Sequence, residues 1–142
     1  NAWVLDMLGV ATPHPCLMLE ERVLWLFRRK AFFLMEKVSA PNIFQCLKTG
    51  GELEADIDSL VAAFQELFDA LNGYQISHGD MKATNFIFND QKLYVLDLDA
   101  MRRHKLKSRF IDAQAKDMSR FQRNWQGGKL EPNFGLLSKQ DE

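Results

Sequence analysis

The stretch I-S-H-G-D-M-K-A-T-N-F-I-F-N-D-Q-K-L-Y-V-L-D-L-D, residues 76–99, decides how this 142-residue chain is read. His78-Gly79-Asp80 is followed by four residues and then Asn85. Two short apolar runs of β type come next, 85–89 and 92–96, separated by Asp90-Gln91. A two-residue connection of this kind predicts a hairpin. The second run delivers Asp97 and Asp99. A hairpin sets its two ends side by side, so Asp80 and Asn85 before it can share a site with Asp97 after it. Phosphoryl transfer uses such a set. One carboxylate orients the attacking hydroxyl, while a second carboxylate and an amide oxygen hold Mg²⁺ on the phosphates.

Taken singly, H-G-D and D-L-D are weak signals, and both also fit turn residues and solvated strand ends. The joint pattern is stronger: Asp, Asn five residues on, two apolar runs, then Asp. It has the spacing of the catalytic loop and metal-binding Asp of the kinase signature. His-Gly-Asp stands where protein kinases have His-Arg-Asp, and Asp-Leu-Asp where they have Asp-Phe-Gly. In these respects the chain resembles the bacterial lipopolysaccharide core kinases, which phosphorylate Kdo or heptose sugars of the inner core. Those are similar in turn to aminoglycoside and choline phosphotransferases, and all share the protein-kinase-like fold. The resemblance runs from residue 3 to about residue 125, with its specific part at 78–99.

Composition sets the bounds around this stretch. Hydrophobic residues make up 46% of the chain, with eleven Phe and three Trp, enough for a packed core. The net charge of −1 gives no global basic signature of nucleic-acid binding. Cys16 and Cys46 fit neither a disulfide framework nor a C-x-x-C knuckle and read as thiols in a reducing compartment. No apolar run is long enough to span a bilayer, and the N-terminus has no signal-peptide pattern. The chain lacks an initiator Met, so it reads as a fragment.

Upstream of the motif, 2–8 reads as the tail of a helix stopped by Gly9. Pro13 and Pro15 make 10–15 an extended connector. Strands are expected at 22–27 and 31–36, with Arg28-Arg29-Lys30 as the turn. A short helix is expected at 41–47. The clearest helix is 56–73, where Ile57, Leu60, Val61, Phe64, Leu67, Phe68 and Leu71 recur at helical spacing. Its apolar stripe is a core face that supports the loop starting at His78. Downstream, residues 100–109 contain five Lys or Arg: Arg102, Arg103, Lys105, Lys107 and Arg109. This strip reads either as a solvated loop or as an attractor of an anionic substrate or lipid headgroup. A helix follows at about 111–125, and 126–142 reads as loop.

The resemblance implies an α+β, protein-kinase-like fold, mostly the large helical lobe. Residues 1–38 would be a remnant of the small lobe and hinge, and 39–142 the large lobe. It implies ATP and Mg²⁺ as cofactors, with Glu36 and Val38 at the hinge beside the adenine; Met35 and Val38 read equally well as ordinary core. Asp80 would be the catalytic base or orienter. Lys82 would offset charge on the transferred group, or else be a surface lysine. Asn85 and Asp97 would be metal ligands, and Asp99 either a third ligand or a turn cap. His78, counted with the catalytic loop, fits a hydrogen-bonding role better than proton transfer. Asp117 would brace the loop backbone. A Gly-rich loop and the phosphate-binding Lys of a V-A-I-K strand are missing and would precede Asn1, so this piece alone is expected to bind ATP poorly and to be inactive. The expected partners are a lipopolysaccharide core sugar or lipid-linked precursor and an anionic membrane surface, with no nucleic acid. The place would be the cytoplasm, peripheral to the inner membrane. A small-molecule phosphotransferase of the aminoglycoside or choline type, and a non-catalytic pseudokinase, are the alternatives. A protein kinase fits poorly, since there is no A-P-E and little room for an activation segment.

Overall fold

The computed structural model describes residues 1–49, 56–135 and 137. Among these residues, helices and three two-stranded antiparallel sheets make a mixed α+β architecture. Helix α1 (Ala2–Met7) ends as its sequence suggests, with Gly9 at φ 72 and the Val10 N–H returning to the Leu5 carbonyl. Strands β1 (Pro15–Val23) and β2 (Phe27–Met35) form the first hairpin.

That hairpin turns earlier than expected. The turn lies at Leu24-Trp25-Leu26, and Arg28, Arg29 and Lys30 are part of β2. Glu21 sits opposite Lys30, and Arg29 reaches the Glu21 carboxylate at 3.2 Å, so Glu21 meets the basic run across the ladder. Leu24 and Trp25 take φ of 52° and 60°, where a bulky side chain costs roughly 1 kcal/mol each. Turn chemistry therefore did not mark this turn.

Helix α2 (Ile43–Thr49) starts on a reciprocal cap, in which the Gln45 N–H donates to Asn42 Oδ1 and the Asn42 N–H to Gln45 Oε1. Helix α3 (Ile57–Gly73) buries Leu60, Phe64, Leu67, Phe68 and Leu71, the stripe its periodicity predicts. Phe64 is the hub of the core. The rings of Phe68, Phe86, Phe121, Trp125 and Phe134 lie 4.8–6.2 Å from its own, centroid to centroid. Phe86 belongs to β4 (Phe86–Asn89), which pairs with β5 (Lys92–Val95) through a two-residue turn at Asp90-Gln91. The ring contact seats α3 behind this second hairpin.

The basic strip is more ordered than a loop. Arg102 and Arg103 form strand β6 against β3 (Ile76–Ser77). Helix α4 (Lys107–Arg123) starts four residues before the expected 111 and takes in Lys107 and Arg109. Cations in a first turn oppose the helix dipole, so the sequence suggested a later start. Residues 126–142 are not all loop either. Helix α5 (Glu131–Gly135) carries Phe134 into the core, where it stacks on Trp125 at 3.7 Å. Neither Cys16 nor Cys46 is in a disulfide.

Candidate active site

The loop that carries His78 and Asp80 follows β3 directly and is anchored from one side by α4. Asp117 and Arg120 of that helix and Asn124 at its C-cap are spaced three and four apart and so share one face. Asp117 is buried and accepts the N–H of His78 at 2.7 Å and the N–H of Gly79 at 2.9 Å. Asn124 accepts the Ala83 N–H at 3.1 Å and donates to the Met81 carbonyl at 2.8 Å. Arg120 donates to the Gly79 carbonyl and, at 3.1 Å, to Asp80 Oδ1. A loop with no ladder of its own thus has its backbone groups satisfied by side chains. Gly79 is required here. Its φ is 85°, and a Cβ would stand 2.8 Å from the Ala100 Cβ and 2.9 Å from the Ala100 carbonyl oxygen. No side chain fits between the two loops, so His-Gly-Asp cannot be His-Arg-Asp.

Asp80 lies among cations. Lys82 Nζ is 2.9 Å from Oδ2, Arg120 Nη1 is 3.1 Å from Oδ1, and Asn85 Nδ2 is 3.2 Å from Oδ2. Burial alone would raise the carboxyl pKa. The hydrogen bond and charge of Lys82, the amide of Asn85 and the charge of Arg120 outweigh it and hold Asp80 below the ordinary carboxylate value. An anion so stabilised is a weak proton acceptor and a good orienter, which suits phosphoryl transfer.

His78 is fully buried, with both ring nitrogens engaged. The Asp80 N–H donates to Nδ1 at 3.2 Å, so Nδ1 carries no proton. Nε2 then carries the proton and donates it to the Leu96 carbonyl at 3.1 Å. Burial lowers the imidazole pKa despite the Leu96 bond and the charges of Asp117, Asp80 and Asp97. The ring is a neutral strut between the Asp80 loop and the end of β5, not a proton carrier.

At that strand end Asp97 takes φ 53, is exposed and has no hydrogen-bond or ionic partner among the described residues. Asp97 and Asp99 line one cavity of about 400 Å³, together with Thr12, Met18, Phe33 and Met35 of the first hairpin and its approach. The Asn85 amide nitrogen is engaged by Asp80, at 2.9 Å from its carbonyl, and among the described residues Oδ1 meets only the Thr84 hydroxyl at 3.3 Å. A carboxylate and an amide oxygen left open in this way fit Mg²⁺, which takes one or two protein oxygens and completes its shell with phosphate and water. Among the described residues no three His, Cys, Asp or Glu converge as an all-protein metal cage. Glu36 and Val38 lie just past β2. The Glu36 N–H donates to the His14 carbonyl at 2.9 Å, and neither residue lines the cavity. The five cations of the basic strip are all exposed and unpaired among the described residues, and those that line cavities line two others.

The site therefore unites Asp80, Lys82, Asn85 and His78, places Asp97 within electrostatic reach of His78, and puts Asp99 on the cavity wall beside Asp97. Sequence reasoning missed Arg120 and Asn124. Their three- and seven-residue offsets from Asp117 were the available signal. An ionised, cation-flanked carboxylate bonded to an amide side chain, with a second carboxylate within electrostatic reach of the same loop, fits phosphoryl transfer. The comparison of families agrees in class: the model of the lipopolysaccharide kinase (Kdo/WaaP) family matches residues 4–137. The chain belongs to that family. No curated protein matches it.

Proposed function

We propose that this protein transfers the terminal phosphoryl group of ATP to a hydroxyl of Kdo or heptose in the lipopolysaccharide inner core, within a protein-kinase-like fold. The observation that carries the reading is Asp80, held ionised by Lys82, Arg120 and Asn85 in a member of a lipopolysaccharide kinase family. Asp80 accepts the hydrogen bond of the acceptor hydroxyl and aims its oxygen. Lys82, whose side chain is 60% exposed, can turn from Asp80 to the incoming phosphoryl group and offset its charge. Asn85 Oδ1 and Asp97, with Asp99 as a further candidate, would hold Mg²⁺, which neutralises phosphate charge when bound. Residues 1–38 form the small-lobe remnant of this reading, with Glu36 and Val38 toward the adenine, and 39–142 the large lobe. The exposed cations from Arg102 to Arg109 attract an acceptor that is itself anionic. Among the described residues no helix is long and apolar enough to cross a membrane; the protein works at the cytoplasmic side of the inner membrane as a peripheral enzyme.

The test is transfer to purified core oligosaccharide by the full-length protein, read by mass. The expected result is a gain of one phosphate with ATP and Mg²⁺. Asp80→Ala should lower kcat by on the order of a hundredfold or more, with a smaller effect on ATP affinity. Transfer to aminoglycosides or choline in place of core sugar would move the substrate class. A near-normal rate in Asp80→Ala would remove Asp80 from its role.

A further inference from the structure

The tip of the first hairpin is apolar where turns are usually polar. Leu24, Trp25 and Leu26 are 80–90% exposed, and Phe27 follows at 64%. The exposure is greatest at the turn and falls to 42–61% toward Phe32, Phe33, Leu34 and Met35. The gradient points to the projecting end, not to one face of the sheet. Leu24 and Trp25 also occupy two successive positive-φ positions, the pair that Asn-Gly fills without strain. A local rule is broken at a solvent-exposed place, with no gain inside the fold, and that is where function is expected.

Charge surrounds the tip. Residues 22–30 read R-V-L-W-L-F-R-R-K, with four cations and no acid. Arg22 pairs with Glu20 along β1 and Arg29 with Glu21 across the hairpin, while Lys30 has no ionic partner among the described residues. Counting Glu20 and Glu21, the hairpin end keeps two positive charges in excess, from four cations and two acids. An indole flanked by leucines, ringed by cations whose stems reach past an apolar body, is the composition that settles at the headgroup–acyl boundary of an anionic bilayer.

We infer that the Leu24-Trp25-Leu26-Phe27 tip docks into the interface of an anionic phospholipid membrane, with Arg22, Arg29 and Lys30 at the headgroup level. Charge complementarity selects this occupant. A second copy of the chain would bring two positive tips together, and a purely apolar protein groove would leave the cations unmatched. The inference stands without the kinase reading, because lipid binding is measured without turnover.

The experiment is cosedimentation of the full chain with vesicles of phosphatidylglycerol mixed with phosphatidylcholine, and with phosphatidylcholine alone. Binding should be about tenfold weaker without the anionic lipid. The double variant L24N/W25G puts the favoured pair at the positive-φ positions, so the hairpin should persist while vesicle binding falls by about a hundredfold. A second readout needs no change in the turn. In the W3F chain the remaining indoles are Trp25 and the buried Trp125, and brominated lipid should quench the exposed one. Undiminished vesicle binding by L24N/W25G, absence of quenching, or a tip-dependent dimer in sedimentation velocity without lipid binding would each overturn the inference.

Discussion

The hairpin β4–β5 turns at Asp90 and Gln91, both at positive φ, and buries Phe86, Leu93 and Val95. The hairpin β1–β2 turns at Leu24 and Trp25, also at positive φ, yet leaves Phe27, Phe32 and Leu34 exposed. Backbone pairing is the same device in both. What differs is what stands behind the ladder. The β4–β5 hairpin has α3 and the Phe64 ring against it, and its far end is joined to the Asp80 loop by His78. The β1–β2 hairpin is held along the ladder by its own nine-residue strands, with the His14–Glu36 bond at its base. An aromatic residue in one hairpin therefore differs in energetic weight from the same residue in the other. Close packing is concentrated in the hairpin that adjoins the Asp80 loop.

Substitutions test this contrast. Phe64→Ala removes the ring shared by five neighbours behind β4–β5 and should cost about 4 kcal/mol, whereas Phe32→Ala should cost about 0.5 kcal/mol or less. Urea unfolding of both variants measures the gap. Equal losses would mean that β1–β2 is as well packed as β4–β5. Next in size is Asp117→Ala, which strips the acceptor from the buried N–H of His78 and the half-buried N–H of Gly79 and should cost about 3 kcal/mol. Asp117→Asn keeps one acceptor oxygen and should lose less. If the alanine variant were as stable as the parent, the loop would be held by something other than α4.

The smallest effect is a slope in pH. Burial lowers the folded pKa of His78 below its ordinary 6.5, against the opposing pull of the Leu96 bond and three carboxylates. Below pH 6.5 the unfolded chain takes up a proton that the folded chain refuses, so stability falls as pH falls toward the folded value. Above 6.5 this contribution is fully present. The urea midpoint should decline between neutral and mildly acidic pH, and His78→Gln, though less stable throughout, should decline less steeply. Parallel slopes would mean that another group supplies the dependence.

Much of the functional half was legible because its signals are local. The α3 stripe repeats at helical spacing, the β4–β5 turn falls between two apolar runs, and the loop residues sit at fixed offsets. The misplaced pieces lack such signals. The β1–β2 turn is built from Leu24, Trp25 and Leu26, which propensity assigns to strand. Helix α4 starts on Lys107 and Arg109 against its own dipole, and α5 contains Pro132 and Gly135, so the buried Phe134 was its only apolar cue. The last is fixed by the stacking of Phe134 on Trp125, a tertiary contact that no short window contains, whereas the first two run against local propensity at exposed positions. Arg120 and Asn124 were missed for a related reason. Helical spacing ties them to Asp117, but nothing in the chain states which face of α4 meets residues 78–83.

The grip of α4 on backbone atoms has a consequence for hydrogen exchange. The amides of His78, Gly79 and Ala83 donate to side chains of a single helix, Asp117 for the first two and Asn124 for the third. None of these three bonds belongs to a ladder or helical turn that could open residue by residue. Deuterium reaches these amides when α4 lifts, so a segment with the outward look of a loop takes on the opening free energy of a helix. Slow exchange is therefore expected at amides that reach to within one residue of Asp80.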